Sequence, residues 1–383
     1  MPGLYSDKAI AALPQPLTHL YSVMAYPVTG EPFPVHIDGE GLSVTFSEDW
    51  SPHVQADITA VVPISDEQLD ALDARKLCRL EIHAGYKYPD LQEDVQPLAN
   101  LMLNDRRVGR PGNTMKLEAS SDETRAQDRK RTDASGVPVF EGVNALVAWA
   151  AGWAMYPETP TIQSVVASNF GAAALKDLDL EIGSSWWDLI AEVANRTSLW
   201  IYCDETRKWR VRGRVGVNST VNHHLAVGKN GTILVSDSSL NRDEWANHVI
   251  IKYAFTVPKP TAEDPKATED KTIYGRAYVS GGEFSVNTVG YKMHYETRET
   301  KTSQTYANRS AENVLKNLVT RGRELTIEAA AAYWLRPGHT ITVQLSTGAV
   351  QKLIVSSITF NPPRGTMTIK TRYPESVTIT QGE

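Results

Sequence analysis

NRSAENVLKNLVTRGRELTIEAAAAYWLRPGHTITVQLSTGAVQKLIVSSITFNPPRGTMTIKTRY, residues 308–373, is the stretch that decides how this chain folds. It opens with an amphipathic helix, Ser310 to Val319, and then alternates strands with turns. Strand Glu324 to Ala331 leads to the turn Leu335-Arg336-Pro337-Gly338-His339, and strand Thr340 to Leu345 follows. A hairpin at Ser346-Thr347-Gly348 returns the chain as strand Gln351 to Thr359. Pro362-Pro363-Arg364-Gly365 then turns it into strand Thr366 to Thr371. Proline pre-sets φ and glycine tolerates positive φ, so these residues punctuate the strands. One helix followed by evenly spaced strands is an order that closes a small barrel or sandwich. It carries no catalytic motif and points to a protein that assembles rather than reacts.

Upstream, residues 1–120 also read as β. Leu42, Val44 and Phe46 alternate with Ser43 and Thr45 in a half-buried strand ending at Asp49-Trp50-Ser51-Pro52. Val54, Ala56, Ile58, Ala60 and Val62 make the clearest two-residue period in the chain. Ser65-Asp66-Glu67-Gln68 has the form of a capping box and starts a short helix to Ala74. Strands Lys76 to Ala84, Pro97 to Arg106 (with a turn at Asn104-Asp105) and Thr114 to Ala119 complete a Greek-key-like barrel in outline.

Residues 121–136 are almost wholly polar, and the cluster Arg129-Lys130-Arg131 is flanked by acids with no aromatic interleaved. They read as a solvated helix or linker at a domain boundary rather than a nucleic-acid patch. Residues 137–222 read as a mixed α/β domain. Val143, Leu146, Val147 and Ala150 recur at helical spacing over Glu141 to Met155. A second helix is capped by Ser184 or Ser185 and carries the stripe Trp186, Ile190, Val193 and Ala194. Strands Leu199 to Cys203 and Lys208 to Arg214 form a hairpin around Asp204-Glu205-Thr206-Arg207. Residues 223–383 return to β, with Ala246 to Tyr253 placing Val249 and Ile251 on one face. Thr256 to Lys271, rich in proline and acids, reads as a mobile exposed loop.

The 39 Lys and Arg against 45 Asp and Glu leave a net charge of −6. That argues against affinity built on gripping phosphates. No apolar run is long enough for a membrane span, and Met1 to Gln15 lacks the form of a secretion signal. Cys78 and Cys203 read as separate buried thiols. His223-His224 are adjacent, so on a strand they face opposite ways and do not form a metal pair. No catalytic, cofactor-binding or metal motif is found. Asp204-Glu205, Asp243-Glu244 and Glu192 read as solvated acids. Trp186, Trp187, Trp200 and Trp209 read as core packing rather than a sugar-stacking platform.

Three stretches give the chain a resemblance to the hub proteins of tailed-phage baseplates. They are the strand run through Trp50-Ser51-Pro52 into Ala56 to Pro63, then Ser185-Trp186-Trp187-Asp188 through Asp204-Glu205, and the C-terminal run. The last comprises Ala311 to Leu315, Trp334 to Val343 and Gly365 to Arg372. The resemblance covers most of the chain as pattern, not as an invariant signature. The family's common turn has an acid after Pro-Gly, where this chain has His339. The resemblance implies a mainly β (α+β) protein with two β-barrel domains flanking a mixed α/β domain. It implies a homotrimeric ring whose six barrels match a six-fold tail tube, and a place at the tail tip of the virion. Expected partners are distal tail, tail tube, tape-measure and tail tip or fibre proteins, with DNA passing the lumen without specific binding. It implies no enzyme activity, cofactor or membrane span. A tail-borne cell-wall hydrolase and a glycan-binding adhesin are the alternatives.

Overall fold

The computed structural model describes residues 5, 7–15, 17–49, 51–63, 65–132, 136–175, 178–213, 216, 220–240, 243, 245–259, 267–346, 349–373 and 377–382. The first segment holds α1 (Asp7–Ala12), β1 (Thr18–Tyr26), β2 (Phe33–Pro34), β3 (Ile37–Ser47), β4 (Val54–Val61), α2 (Asp66–Ala71), β5 (Arg79–Lys87), β6 (Glu93–Gly109) and β7 (Thr114–Ser120). The middle segment holds α3 (Glu123–Asp128), α4 (Val143–Met155), β8 (Thr161–Ser164), α5 (Trp186–Thr197), β9 (Leu199–Cys203) and β10 (Lys208–Gly213). Then come β11 (His223–Ala226), β12 (Ile233–Leu240), β13 (His248–Pro258), β14 (Thr268–Gly281), α6 (Val286–Val289) and β15 (Met293–Arg298). The chain closes with α7 (Gln304–Leu318), β16 (Arg323–Ala330), β17 (Thr340–Gln344), β18 (Gln351–Asn361), β19 (Thr366–Arg372) and β20 (Thr378–Gln381).

Two separate barrels are not what these strands make. Among the described residues, thirteen strands from both ends of the chain join one antiparallel-dominated sheet, ordered β12-β16-β19-β18-β3-β4-β7-β6-β5-β1-β2 with β11 and β17 beside β18. The path has two ends, so it is not a closed barrel. Its seam is the pairing of β3 with β18, from Ser47↔Ser357 to Val44↔Phe360. Across that seam Phe46 meets Phe360 edge to face at 5.9 Å, and Thr45 Oγ1 lies 2.9 Å from Thr359 Oγ1. Tyr86 of β5 adds a second tie by donating its hydroxyl hydrogen to the Ala331 carbonyl at 2.6 Å. The same oxygen accepts from the Tyr333 amide at 3.2 Å. Sequence periodicity reports what each strand buries, not which strand it pairs with, so the shared sheet was invisible to it.

Local patterns translate directly. Val54, Ala56, Ile58 and Ala60 of β4 are all buried, with the intervening residues less so. Ser65 Oγ caps α2, accepting from the Gln68 amide at 3.4 Å. Ser185 and Asp188 form a reciprocal capping box at the start of α5. Three expectations change. Asn104-Asp105 is not a turn but a register shift within the long β6, because a bulge inserts a residue without ending a strand. The described residues of the expected loop from Thr256 to Lys271 are mostly strand, since β13 runs to Pro258 and β14 starts at Thr268. Its tip, residues 260–266, lies outside the described residues, as do Trp50 and Thr347-Gly348. Residues 223–383 also divide, because β15-β13-β14-β20 form their own four-stranded sheet with α7 against one face.

Gly365, in the turn before β19, has φ 67°. A Cβ there would strike the His19 ring of β1. Gly365→Ala is therefore expected to cost about 1–3 kcal/mol through left-handed strain plus the clash. A lowered thermal midpoint checks this, and an unchanged midpoint would show that the ring yields freely.

Candidate functional site

The α/β part meets the large sheet through a buried polar junction, and this is where the sequence reading departs furthest from the structure. Residues 121–132 are not a solvated linker. They run off β7 into α3; its N-cap Asp122 and its Glu123, Arg125 and Ala126 are buried, as is Arg131. The polarity that suggests solvent is here spent on hydrogen bonds between layers.

Glu123 is the centre of the junction. Its Oε1 accepts from the backbone N–H of His53 at 3.1 Å and of Cys203 at 3.0 Å, tying the entry to β4 to the end of β9. Its Oε2 is buried and has no hydrogen-bond partner among the described residues. Burial raises its pKa to about 7, against the lowering effect of the Ser121 hydroxyl and the backbone donors. His53 donates Nδ1–H to the Ser47 carbonyl, and its ring lies 4.4 Å from that of Tyr202. Burial holds this imidazole down at about 4, hence neutral.

Around this centre the charges are paired. Asp122 accepts from Arg79 Nη2 at 2.9 Å and Arg207 Nε at 3.1 Å. Glu158 accepts from Arg125 Nη1 at 2.5 Å and from Arg207. Burial pushes Glu158 up, but the Arg207 and Arg125 bonds outweigh it and hold it at about 2. Glu205 accepts from Arg336 Nε at 2.8 Å. Arg336 also donates to the Tyr333 and Leu335 carbonyls and lies 4.4 Å over the Phe46 ring. The Pro337-Gly338 turn thus reaches the β9–β10 hairpin. His339, at the position where the resembling family carries an acid, accepts from the Arg336 amide at 3.2 Å.

Asp204, Glu205 and Glu192, expected to be solvated, are otherwise placed. Asp204 is buried and accepts from the Thr206 and Lys208 amides and from Arg210 Nε. Glu192 is buried against Arg196 and Arg298. In both cases arginines distant or one helical turn away supply the charge that a single-residue reading omits. Asp243 is exposed, and Glu244 lies outside the described residues. Cys78 and Cys203 are both free and buried. Burial raises the Cys78 thiol to about 11 and holds Cys203 well above the ordinary thiol value, the opposite of nucleophile activation. His223 packs on Trp334 at 5.4 Å, whereas the exposed His224 ring meets Thr342 Oγ1 at 2.6 Å, so the two do not converge. Trp186, Trp200 and Trp209 are buried and Trp187 is half-buried, which leaves no ring of Trp209 for a sugar to stack on.

A polar cleft of about 700 Å³ lies between β3, β18, β19 and the helices α5 and α7. Three of its cations are paired in place, Lys316 with Glu312, Lys370 with Glu324 and Arg372 with Glu48, and Arg323 lies over the Tyr373 ring. Among the described residues, no three His, Cys, Asp or Glu side chains converge as metal ligands. What the junction does chemically is hold two layers in fixed register.

The fold defined by this sheet, its α/β insertion and the helix-backed small sheet is that of solved phage tail proteins. The chain is similar to the tail protein from Neisseria meningitidis MC58, with 15% identity, 93% of this chain and 96% of that one covered, and a TM-score of 0.62. It is also similar to the prophage MuSo2 43 kDa tail protein from Shewanella oneidensis, at 9% identity, covering 92% and 98% with a TM-score of 0.57. The Francisella PdpA-VgrG complex contains a chain matched at 9% identity and TM-score 0.51, over 94% of this chain and 60% of that one. No protein-family profile and no curated protein sequence matches.

Proposed function

We propose that this chain is a structural hub subunit at the tip of a phage-type tail, assembling as a three-fold ring in the virion. The observation that supports the reading is the fold, shared with two phage tail proteins over nearly their whole lengths. The thirteen-stranded sheet fits it, since residues 18–120 contribute seven strands on one side of the β3–β18 seam and residues 223–372 six on the other. Two strand-rich lobes per chain, separated in sequence by residues 137–222, give a trimer six docking surfaces for a six-fold tube. Its partners are then tail tube, distal tail, tape-measure and tip or fibre proteins. The acidic net charge lets DNA cross the lumen without being held. The role is non-enzymatic, and the paired junction carboxylates and deactivated thiols accord with it.

Light scattering combined with negative-stain imaging tests the ring. The expected particle has three times the 42.3 kDa chain mass and three-fold symmetry. A chain that stays monomeric at tens of micromolar refutes self-assembly into a hub.

A further inference from the structure

We propose that the cavity between α1 and β11 is a binding site for an uncharged alcohol, a ligand with an apolar body and a hydroxyl group. The proposal goes beyond the tail reading above and stands without it.

The cavity has a volume of about 430 Å³, in the range of small-molecule sites. Ile10, Leu13 and Pro14 line it together with Val221, His223 and Thr232, so it lies where the start of the chain meets β11. Among the described residues, no Asp, Glu, Lys or Arg lines it. A charged ligand would therefore lose its water and find no counter-charge.

Two of the lining side chains are buried and unpaired. His223 is 8% exposed and Thr232 7%, and neither His223 Nε2 nor Thr232 Oγ1 has a hydrogen-bond partner among the described residues. Buried polar atoms are ordinarily paired, and one left without a partner costs stability until something bonds to it. The backbone holds both groups in place. The Thr232 carbonyl accepts from the Ala330 amide at 3.0 Å, and the Asn222 amide, beside His223, donates to the Thr340 carbonyl at 2.8 Å. The His223 ring is further fixed edge to face on Trp334.

These two groups select the ligand. Burial holds the His223 imidazole down at about 4, so at pH 7 it is neutral, with one nitrogen donating and the other accepting. The threonine hydroxyl also does either. A ligand hydroxyl suits both, since it too donates and accepts, whereas a carboxylate only accepts and an ammonium only donates. The apolar body then covers Leu13 and Pro14, with the half-exposed Ile10 and Val221 at the rim.

The test titrates the full chain with p-cresol and with toluene, the same molecule without its hydroxyl, read by saturation-transfer NMR. A purely apolar cavity prefers toluene, because p-cresol gives up hydrogen bonds to water on entry. Here p-cresol is expected to bind at least about ten-fold tighter. In Thr232→Val, which keeps the side-chain shape, that preference is expected to shrink at least about three-fold. Without ligand, the valine variant is expected to melt no lower than the wild type, since it removes an unpaired polar atom. Toluene binding as tightly as p-cresol overturns the proposal, as does a valine variant that keeps the full preference. A valine variant that melts clearly below the wild type does the same, because Oγ1 is then already satisfied in the empty protein. The hydroxyl can come from a free alcohol or from a tyrosine side chain, and N-acetyltyrosinamide separates the two. Its binding alongside p-cresol assigns the site to a tyrosine of a peptide, and p-cresol binding alone assigns it to a free alcohol.

Discussion

Glu192→Ala is expected to destabilise the chain by about 3–5 kcal/mol, because it strands a buried guanidinium. Arg196 is fully buried, and Glu192 Oε1 accepts from its Nε at 2.7 Å. The remaining Arg196 donors reach the Ala174 carbonyl at 3.3 Å and the Lys301 carbonyl. Glu192 Oε2 faces Arg298 Nη1 of β15 at 3.3 Å, so one carboxylate joins α5 to the small sheet. Arg298 keeps Glu296 when Glu192 is lost, but Arg196 keeps no counter-charge among the described residues. Two further substitutions separate charge from shape. Glu192→Gln retains an acceptor for Nε and should cost less than alanine. Glu192→Leu with Arg196→Met replaces the whole pair by apolar groups and should recover most of the loss, as replaced buried pairs generally do. Thermal midpoints of the three variants decide the matter. An alanine variant within about 0.5 kcal/mol of wild type would show that water reaches Arg196 and that the pair is not buried in solution.

How far the sequence reveals this molecule depends on whether a feature is local. The β4 alternation, the Ser185 cap on α5 and the Pro337-Gly338 turn are set by neighbours a few residues away, and each is found where the sequence places it. The β3–β18 seam joins residues over three hundred positions apart, and no period in either strand names its partner. The same limit hid the junction. Asp122, Glu123 and Arg125 look solvated because their counterparts lie elsewhere: Arg79 on β5, Arg207 in the hairpin, and Glu158 after α4. A polar stretch that starts within two residues of a strongly patterned strand such as β7, and holds only Ala126 and Ala134 as apolar residues, offers no hydrophobic signal for burial. Glu192 was the more legible case. Glu192 and Arg196 stand four apart on a helix, a spacing that pairs side chains, and the pair lies next to the apolar positions of that helix.

At the junction itself, Glu123→Gln is expected to make the chain more stable than wild type at pH 9 and nearly equal to it at pH 5. The folded carboxyl has its pKa raised from the ordinary 4.5 to about 7, so the native state holds the proton more tightly than the unfolded chain. Its favourable contribution is fully present below the ordinary value and is lost as the pH rises through 7. Above that, folding must carry a buried carboxylate whose Oε2 has no donor among the described residues. A shift of this size corresponds to about 3 kcal/mol at alkaline pH. Glutamine carries no charge at any pH, and its amide oxygen can keep the His53 and Cys203 bonds to the backbone. Glu158 works in the opposite direction. Its folded pKa of about 2 gives stability that is present above the ordinary value and lost as pH falls towards 2, so it shapes the acid limb and leaves the alkaline one to Glu123. Thermal unfolding from pH 5 to 9 should therefore give wild-type and glutamine curves that meet at the acid end and diverge above neutrality. Parallel curves would show that Glu123 is already ionised at pH 5 and that solvent or a nearby donor satisfies Oε2. Because Oε1 bridges β4 and β9, diverging curves would also place the alkaline weakness at the contact between the large sheet and the α/β part.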